Sequence, residues 1–235
     1  MERDRNYLRT VGGLAILAGL LAAATLIVGA FAVDLDMEAF SDPARTLDHA
    51  HNHQLAYWFN ILDLFGYYLL MIPLALHLHR QMRYRSPWVP LITLGGVAYA
   101  LIGSAGAAVL AAVWPDLMRE HLTASSDEQM ILAVAFRTVT LAVTQGLWNI
   151  LEVLFAAVWW IGLGLLWKPG PRGLSVLSHI TGIACLLDGV GNILGIGLLA
   201  ELGLNVYLLM GIIWPIAVGM RLMREARGGD PLTID

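Results

Sequence analysis

The chain has 235 residues, 58% hydrophobic and only 14% charged, with a formal net charge of −4 at pH 7. An average soluble domain carries roughly 25% charged residues and about 45–50% apolar ones, so the balance excludes an ordinary soluble protein and points to the membrane. The single cysteine, Cys185, excludes an internal disulfide and a cysteine-built metal cage, and no basic, aromatic-interleaved patch suggests nucleic acid.

A spanning helix needs ~20 mostly apolar residues, and six segments qualify, at about 10–32, 55–79, 87–113, 142–167, 173–199 and 203–223. The connections are short, so residues 1–235 read as one integral membrane domain. The fold class is all-α, a polytopic bundle of six transmembrane helices. Arg3, Arg5 and Arg9 precede the first helix. Ala30–Ala32 resembles a signal-peptidase site, but the apolar run before it exceeds the roughly 7–15 residues of a signal h-region, so an uncleaved helix is expected. An acidic connection follows, with Asp34, Asp36, Glu38, Asp42 and Asp48, ending in "HAHNH". Its His49, His51 and His53 are weak metal candidates, since neutral imidazoles suit Zn, Cu or Ni. Solvated or hydrogen-bonded loop histidines are the commoner outcome, so no cofactor is expected.

The second helix carries "FNILDLF", in which Asn60, Asp63 and Tyr67 fall on one helical face. Pro73 removes a backbone donor there, as Pro215 does in the sixth helix, and each predicts a kink. Arg80, Arg83 and Arg85 follow. The third helix offers Gly95, Gly96, Gly103 and Gly106 as a small-residue face for close helix packing or a membrane partner. Ser104 in "GSAG" has no intramembrane histidine base, which argues against a serine nucleophile. A second acidic connection ends in Ser125, Ser126, Glu128 and Gln129, with capping-box spacing for both pairs. A helix from there to residue 167 would be ~60 Å long, so it must project, tilt or break near Thr140–Gly146.

"LWNILEVLF" in the fourth helix repeats the Asn-Ile-Leu-acid pattern of the second, with Asn149 and Glu152 in place of Asn60 and Asp63. Gln145, Asn149 and Glu152 form a predicted stripe, with Trp148, Trp159 and Trp160 nearby. Lys168 and Arg172 follow. The fifth helix aligns Thr181, Asp188 and Asn192, and Arg221, Arg224 and Arg227 follow the sixth. Six alternating spans put nearly all basic residues on one side, with only Arg45, Arg119 and Arg137 on the other. That bias predicts both termini in the cytoplasm. One lysine against thirteen arginines suggests a bacterial genome and hence a bacterial inner-membrane location.

A charged group at mid-bilayer costs at least ~2.5–3.5 kcal/mol, so Asp63, Glu152 and Asp188 must face one another, a cavity or polar partners. They are the candidate catalytic residues, because a protonated acid beside an ionised one makes an acid/base pair. Asn60, Tyr67, Gln145, Trp148, Asn149, Trp159 and Asn192 are the candidate ligand-binding residues. Interhelical hydrogen-bond glue is the plain alternative for the same side chains. The repeated motif also suggests that helices two and three duplicate helices four and five in parallel orientation, as transporter repeats do.

The helix order resembles a bacterial multi-pass membrane family known as domain of unknown function 4386. The resemblance rests on "LDLFGYYLLMIPLALHLHR" and "LWNILEVLFAAVWWIGLGLLWKPGPRGLSVLSHITGIACLLDGVGNILG". It implies a compact bundle of about six helices and supplies no activity. Three functional readings follow from the residues. The first is a membrane-embedded enzyme acting by acid/base chemistry on a lipophilic ligand such as an isoprenoid or polyketide. The second is a proton-coupled small-molecule transporter, for which six helices would favour a homodimer. The third is a non-catalytic component whose partners are membrane lipid and other membrane helices.

Overall fold

A computed structural model describes residues 2–40, 42–167 and 172–228, with the backbone alone for Glu2 and Arg3. Lys168, used above for orientation, lies outside the described residues. Among those residues there is no strand, and six helices are long and apolar enough to cross a membrane. They are α1 (Glu2–Ala32), α2 (Ala50–Met82), α3 (Val89–His121), α4 (Ser126–Leu166), α5 (Arg172–Leu194) and α6 (Gly197–Ala226). Each packs mainly against its neighbours in sequence, and α6 closes on α1, so the chain runs round a ring. Six spans return Glu2 and Gly228, the first and last described residues, to one end of the bundle, the arginine-bearing end. The connections at residues 33–49 and 122–125 form the acidic end.

The α1–α6 closure depends on glycine. A Cβ on Gly12 would stand 2.9 Å from the Gly219 carbonyl oxygen, and one on Gly19 would stand 2.7 Å from that of Ile212. Only missing side chains let the two backbones come this close, the usual device where hydrophobic burial does not drive association. The third helix uses its glycines differently. Gly96, Gly103 and Gly106 seat the rings of Trp159, Tyr68 and Trp148, while Gly95 faces the Phe155 carbonyl oxygen. The small-residue face expected to receive a membrane partner is therefore filled from within the chain.

Several expected boundaries shift. The fifth span ends at Leu194, not 199, and the sixth begins at Gly197, not 203. Gly195 takes the left-handed φ of +69°, Ile196 N–H donates to Gly191 O at 2.8 Å, and Gly195 N–H donates to Asn192 O at 3.4 Å. This is a Schellman ending, and "LGIG" allows it because glycine carries no Cβ penalty there. At the head of α4 the Ser125–Glu128 pair forms the cap: Ser125 N–H and Oγ–H both reach Glu128 Oε2, at 2.9 and 2.7 Å. Gln129 instead donates to His121 O, tying α4 to the end of α3.

The expected break near Thr140–Gly146 is a change of winding rather than a stop. Ala142–Glu152 is π-helical, with α-helix on both sides. A second π segment, Leu64–Leu69, interrupts α2. It lies just ahead of Pro73, whose ring would press on the carbonyl of the residue four back, Leu69. The disturbance expected at Pro73 is thus taken up one turn earlier. Pro215 sits inside an uninterrupted α6.

Candidate functional site

The two π segments meet at a buried acid. Glu152, the last residue of the α4 π segment, is 1% exposed, and each of its oxygens accepts from a phenol on another helix. Tyr68, in the π segment of α2, donates to Oε2 at 3.0 Å; Tyr207, on α6, donates to Oε1 at 2.9 Å. The Tyr207 hydroxyl lies 3.5 Å from that of Tyr99 on α3, and Tyr99 donates to the backbone oxygen of Tyr67. Each of these two hydroxyls has one proton, given by Tyr207 to Glu152 and by Tyr99 to a carbonyl inside the α2 π segment, so their 3.5 Å approach is a contact and not a hydrogen bond. Hydrogen bonds to a charged acceptor contribute about 1.5–3 kcal/mol each, enough to offset much of the burial of one carboxylate.

Aromatic rings enclose this network. Tyr99 stacks on Trp159 at 5.9 Å and meets Trp160 edge-on at 5.1 Å, while Trp160 also meets Tyr207 and Trp214. Trp159, Trp160 and Trp214 are 0–1% exposed. The rings fill the centre of the bundle by touching one another. From the arginine-bearing end, a narrow cleft of ≈10 Å³, room for about one water, reaches Trp159 between His79, Thr93, Ile92 and Leu163.

Asp63 is the buried acid of α2. It is 7% exposed and immediately precedes the π segment that carries Tyr67 and Tyr68. Its Oδ2 is buried with no hydrogen-bond partner among the described residues, and so is Oδ1 of Asn60 one turn away. The Asn60 amide donates to Ala56 O at 2.9 Å, leaving its carbonyl as an acceptor. Asp188, 0% exposed, stands on the flank: it feels Glu152, but its Oδ1 accepts from Asn192 at 2.7 Å and its backbone backs onto Gly203 of α6. Among the described residues no hydrogen bond joins any two of the three acids, and none of them pairs with an arginine or histidine.

The predicted ligand-binding residues divide. Asn60 and Tyr67 are buried as their stripe requires, although the Tyr67 hydroxyl donates to Leu208 O at 2.9 Å. Trp148 is half-buried, lies 6.5 Å from the Tyr68 ring and donates to Gly103 O. Trp159 is committed to ring stacking. Asn192 serves Asp188. Gln145, however, is exposed and Asn149 only half-buried, so Gln145–Asn149–Glu152 is not one face. The reason is the π winding: i→i+5 pairing widens the turn, so Val143, Trp148 and Glu152, spaced five and four apart, point inward instead. The stripe assumed α geometry where there is none.

Sequence reasoning missed Tyr68, Tyr99 and Tyr207. A signal was present: each is a polar-tipped aromatic in mid-span, and a buried phenol needs a partner. At the acidic end, His49 Nδ1 and His51 Nε2 lie 2.9 and 3.1 Å from Asp34 Oδ2, and Asn52 donates to Asp34 Oδ1. His53 does not join them. Among the described residues no group of three or more His, Cys, Asp or Glu is placed to hold a metal ion; His49, His51 and Asn52 instead clasp Asp34.

Six apolar spans around a buried polar centre define a multi-pass membrane protein. No family model, curated protein or solved structure matches the chain.

Proposed function

We propose that the chain is a proton-coupled membrane carrier in which Glu152 takes up and releases the coupled proton. The observation that carries this reading is the pair of tyrosine donors on Glu152 together with where they lead. Tyr68 belongs to the α2 π segment, and Tyr207 belongs to α6, the helix that closes the ring on α1. A hydrogen bond to a carboxylate is roughly twice as strong as one to a neutral acceptor. Protonating Glu152 therefore loosens its tie to that irregular stretch of helix and its tie to α6 together, and π turns inside helices are frequent at functional sites. The proton is coupled to conformation through that stretch. Acid/base catalysis on a lipophilic substrate is less well supported, because the aromatic rings that would wall its cavity stack on one another.

Infrared difference spectroscopy of the protein in lipid nanodiscs tests the proposal. Stepping the bath across about pH 3 to 9, the range that brackets ordinary carboxyl and histidine titration, should produce a carboxyl C=O band that shifts in D₂O. Glu152→Gln should remove it. If wild-type protein shows no carboxyl band that Glu152→Gln alone abolishes, the carrier reading fails.

A further inference from the structure

The connection after α1 holds an imidazole whose two nitrogens both face carboxylates. His49 Nδ1 lies 2.9 Å from Asp34 Oδ2, and Nε2 lies 3.6 Å from Asp36 Oδ2. A neutral imidazole has one N–H and one lone pair, and a carboxylate only accepts. One of the two contacts therefore sets a lone pair against an oxygen unless the ring carries a second proton. The imidazolium satisfies both.

That proton joins two groups that are otherwise separate. In the first, Asp34 Oδ2 also faces His51 Nε2 at 3.1 Å, and Asn52 donates to Asp34 Oδ1 at 3.0 Å, which ties the end of α1 to the start of α2. In the second, Arg45 Nη2 holds Asp36 Oδ2 at 2.7 Å and its guanidinium also pairs with Glu38, while Thr46 donates to Ala39 O at 2.7 Å. These bonds make residues 36–40 one body with the short helix Pro43–Asp48. Its Phe40 covers the outer ends of α1 and α2: the ring lies 5.7 Å from that of Phe59, and a Cβ on Gly29 would stand 3.2 Å from Phe40 Cζ. Between the two carboxylates the backbone is strained. Asp34 and Leu35 take left-handed φ values of 49° and 67°, where side-chain-bearing residues persist only if surrounding contacts hold them. No other charge completes His49. Asp42, Asp48 and His53 are its neighbours in the chain; α3, packed on residues 50–52, ends with Asp116, Arg119, Glu120 and His121; α4, packed on Pro43–Asp48, carries Asp127, Glu128 and Arg137. Arg119 pairs with Asp116 and Glu128 caps α4, and among the described residues Asp34 and Asp36 alone pair with His49.

We infer that residues 36–40 form a pH-operated strap over the outer ends of α1 and α2, closed by one proton on His49 that bridges Asp34 and Asp36. The inference goes beyond the carrier reading and stands without it. The proton passes between bath water and His49 Nε2, and no covalent bond to carbon changes. In the deprotonated state Nδ1–H still donates to Asp34, so with His51 and Asn52 the turn at Asp34 stays closed. What is lost is the hold on Asp36. Acid therefore closes the strap, and rising pH frees Phe40 from its seat on Phe59 and Gly29. The left-handed turn at Leu35 lies at the joint and favours the freed strap.

Double electron–electron resonance on the full chain in nanodiscs tests this. Spin labels at Met37→Cys on the strap and Met130→Cys on the head of α4 both sit at exposed positions, while the native Cys185 is buried. The expected result is a narrow distance peak at about pH 5 that is lost by about pH 9, a step that brackets imidazole titration, and that returns on acidification. His49→Gln in the labelled chain should lose the narrow peak at both pH values. His51→Gln should keep the full response, because that ring meets Asp34 and not Asp36. Should His49→Gln fail to fold, the response of the labelled chain with and without His51 still decides the matter. If the distance distribution is the same at both pH values, or the response survives His49→Gln, or it disappears with His51→Gln, the inference falls.

Discussion

The Glu152 cluster can be taken apart one hydroxyl at a time. Tyr207→Phe removes the donor to Oε1 and leaves a buried acceptor unpaired, which costs about 1–3 kcal/mol. Glu152→Gln should cost less in the Tyr207→Phe background than in wild type, because the lost partner is already missing. Thermal unfolding of the two single variants and the double variant in one detergent measures the coupling. Additive effects would mean the phenol and the acid do not act together. Tyr68→Phe gives a second, independent cycle on Oε2. The sequence made the three acids visible, since charge in an apolar helix is conspicuous. It hid their partners, since tyrosine reads as an ordinary apolar residue until its hydroxyl is placed.

Elements explain which expectations held. The six apolar runs marked the spans, because their composition needs no knowledge of packing. The local winding of α2 and α4 was not legible: π turns carry no simple residue signature, and they displaced Gln145 from the inner face while bringing Tyr67 and Tyr68 inward side by side. The glycine seats were legible as small residues but not as to what fills them. A Cβ at position 103 would overlap the Tyr68 ring, so Gly103→Ala should push that ring away and break its bond to Glu152. The expected cost is about 1–3 kcal/mol of overpacking, with a shifted Glu152 infrared band as the local readout. Gly13, where a Cβ meets open space, is the matched control. The connection after α1 supports a pH prediction. Asp34 sits at a left-handed φ of 49°, and hydrogen bonds from His49, then Asn52, hold its carboxyl below the usual aspartate range. A depressed folded value means that the contribution is fully present above the unfolded pKa of about 3.9 and is lost as pH falls through the lower folded value. Protease cutting at residues 33–35 should therefore rise only in strong acid, and Asp34→Asn should make it high at neutral pH as well.

At the scale of the whole molecule the ring couples distant elements. α1 seats the α2 π segment, since a Cβ on Gly66 would lie against the backbone of Leu21 and Ala22, and α1 also closes on α6, which carries Tyr207. The two ends of that ring differ in charge. Arg80, Arg83, Arg85, Arg172, Arg224 and Arg227 stand at one, and Asp34, Asp36, Glu38, Asp116, Asp127 and Glu128 at the other. Basic residues near span ends are retained in the cytoplasm, so the arginine-bearing end should face inward. The single native cysteine makes this measurable. Cys185 is 0% exposed, so it should stay silent to a maleimide that cannot cross the membrane. Tyr84, 86% exposed in the α2–α3 connection, and Met130, 70% exposed near the head of α4, lie at opposite ends. In intact bacterial spheroplasts Met130→Cys should label and Tyr84→Cys should not; in inverted vesicles the pattern should reverse. The opposite pattern would turn the molecule over. The cleft leading to Trp159 would then open to the outside rather than to the cytoplasm, and the direction of any proton-driven exchange through Glu152 would be reversed with it.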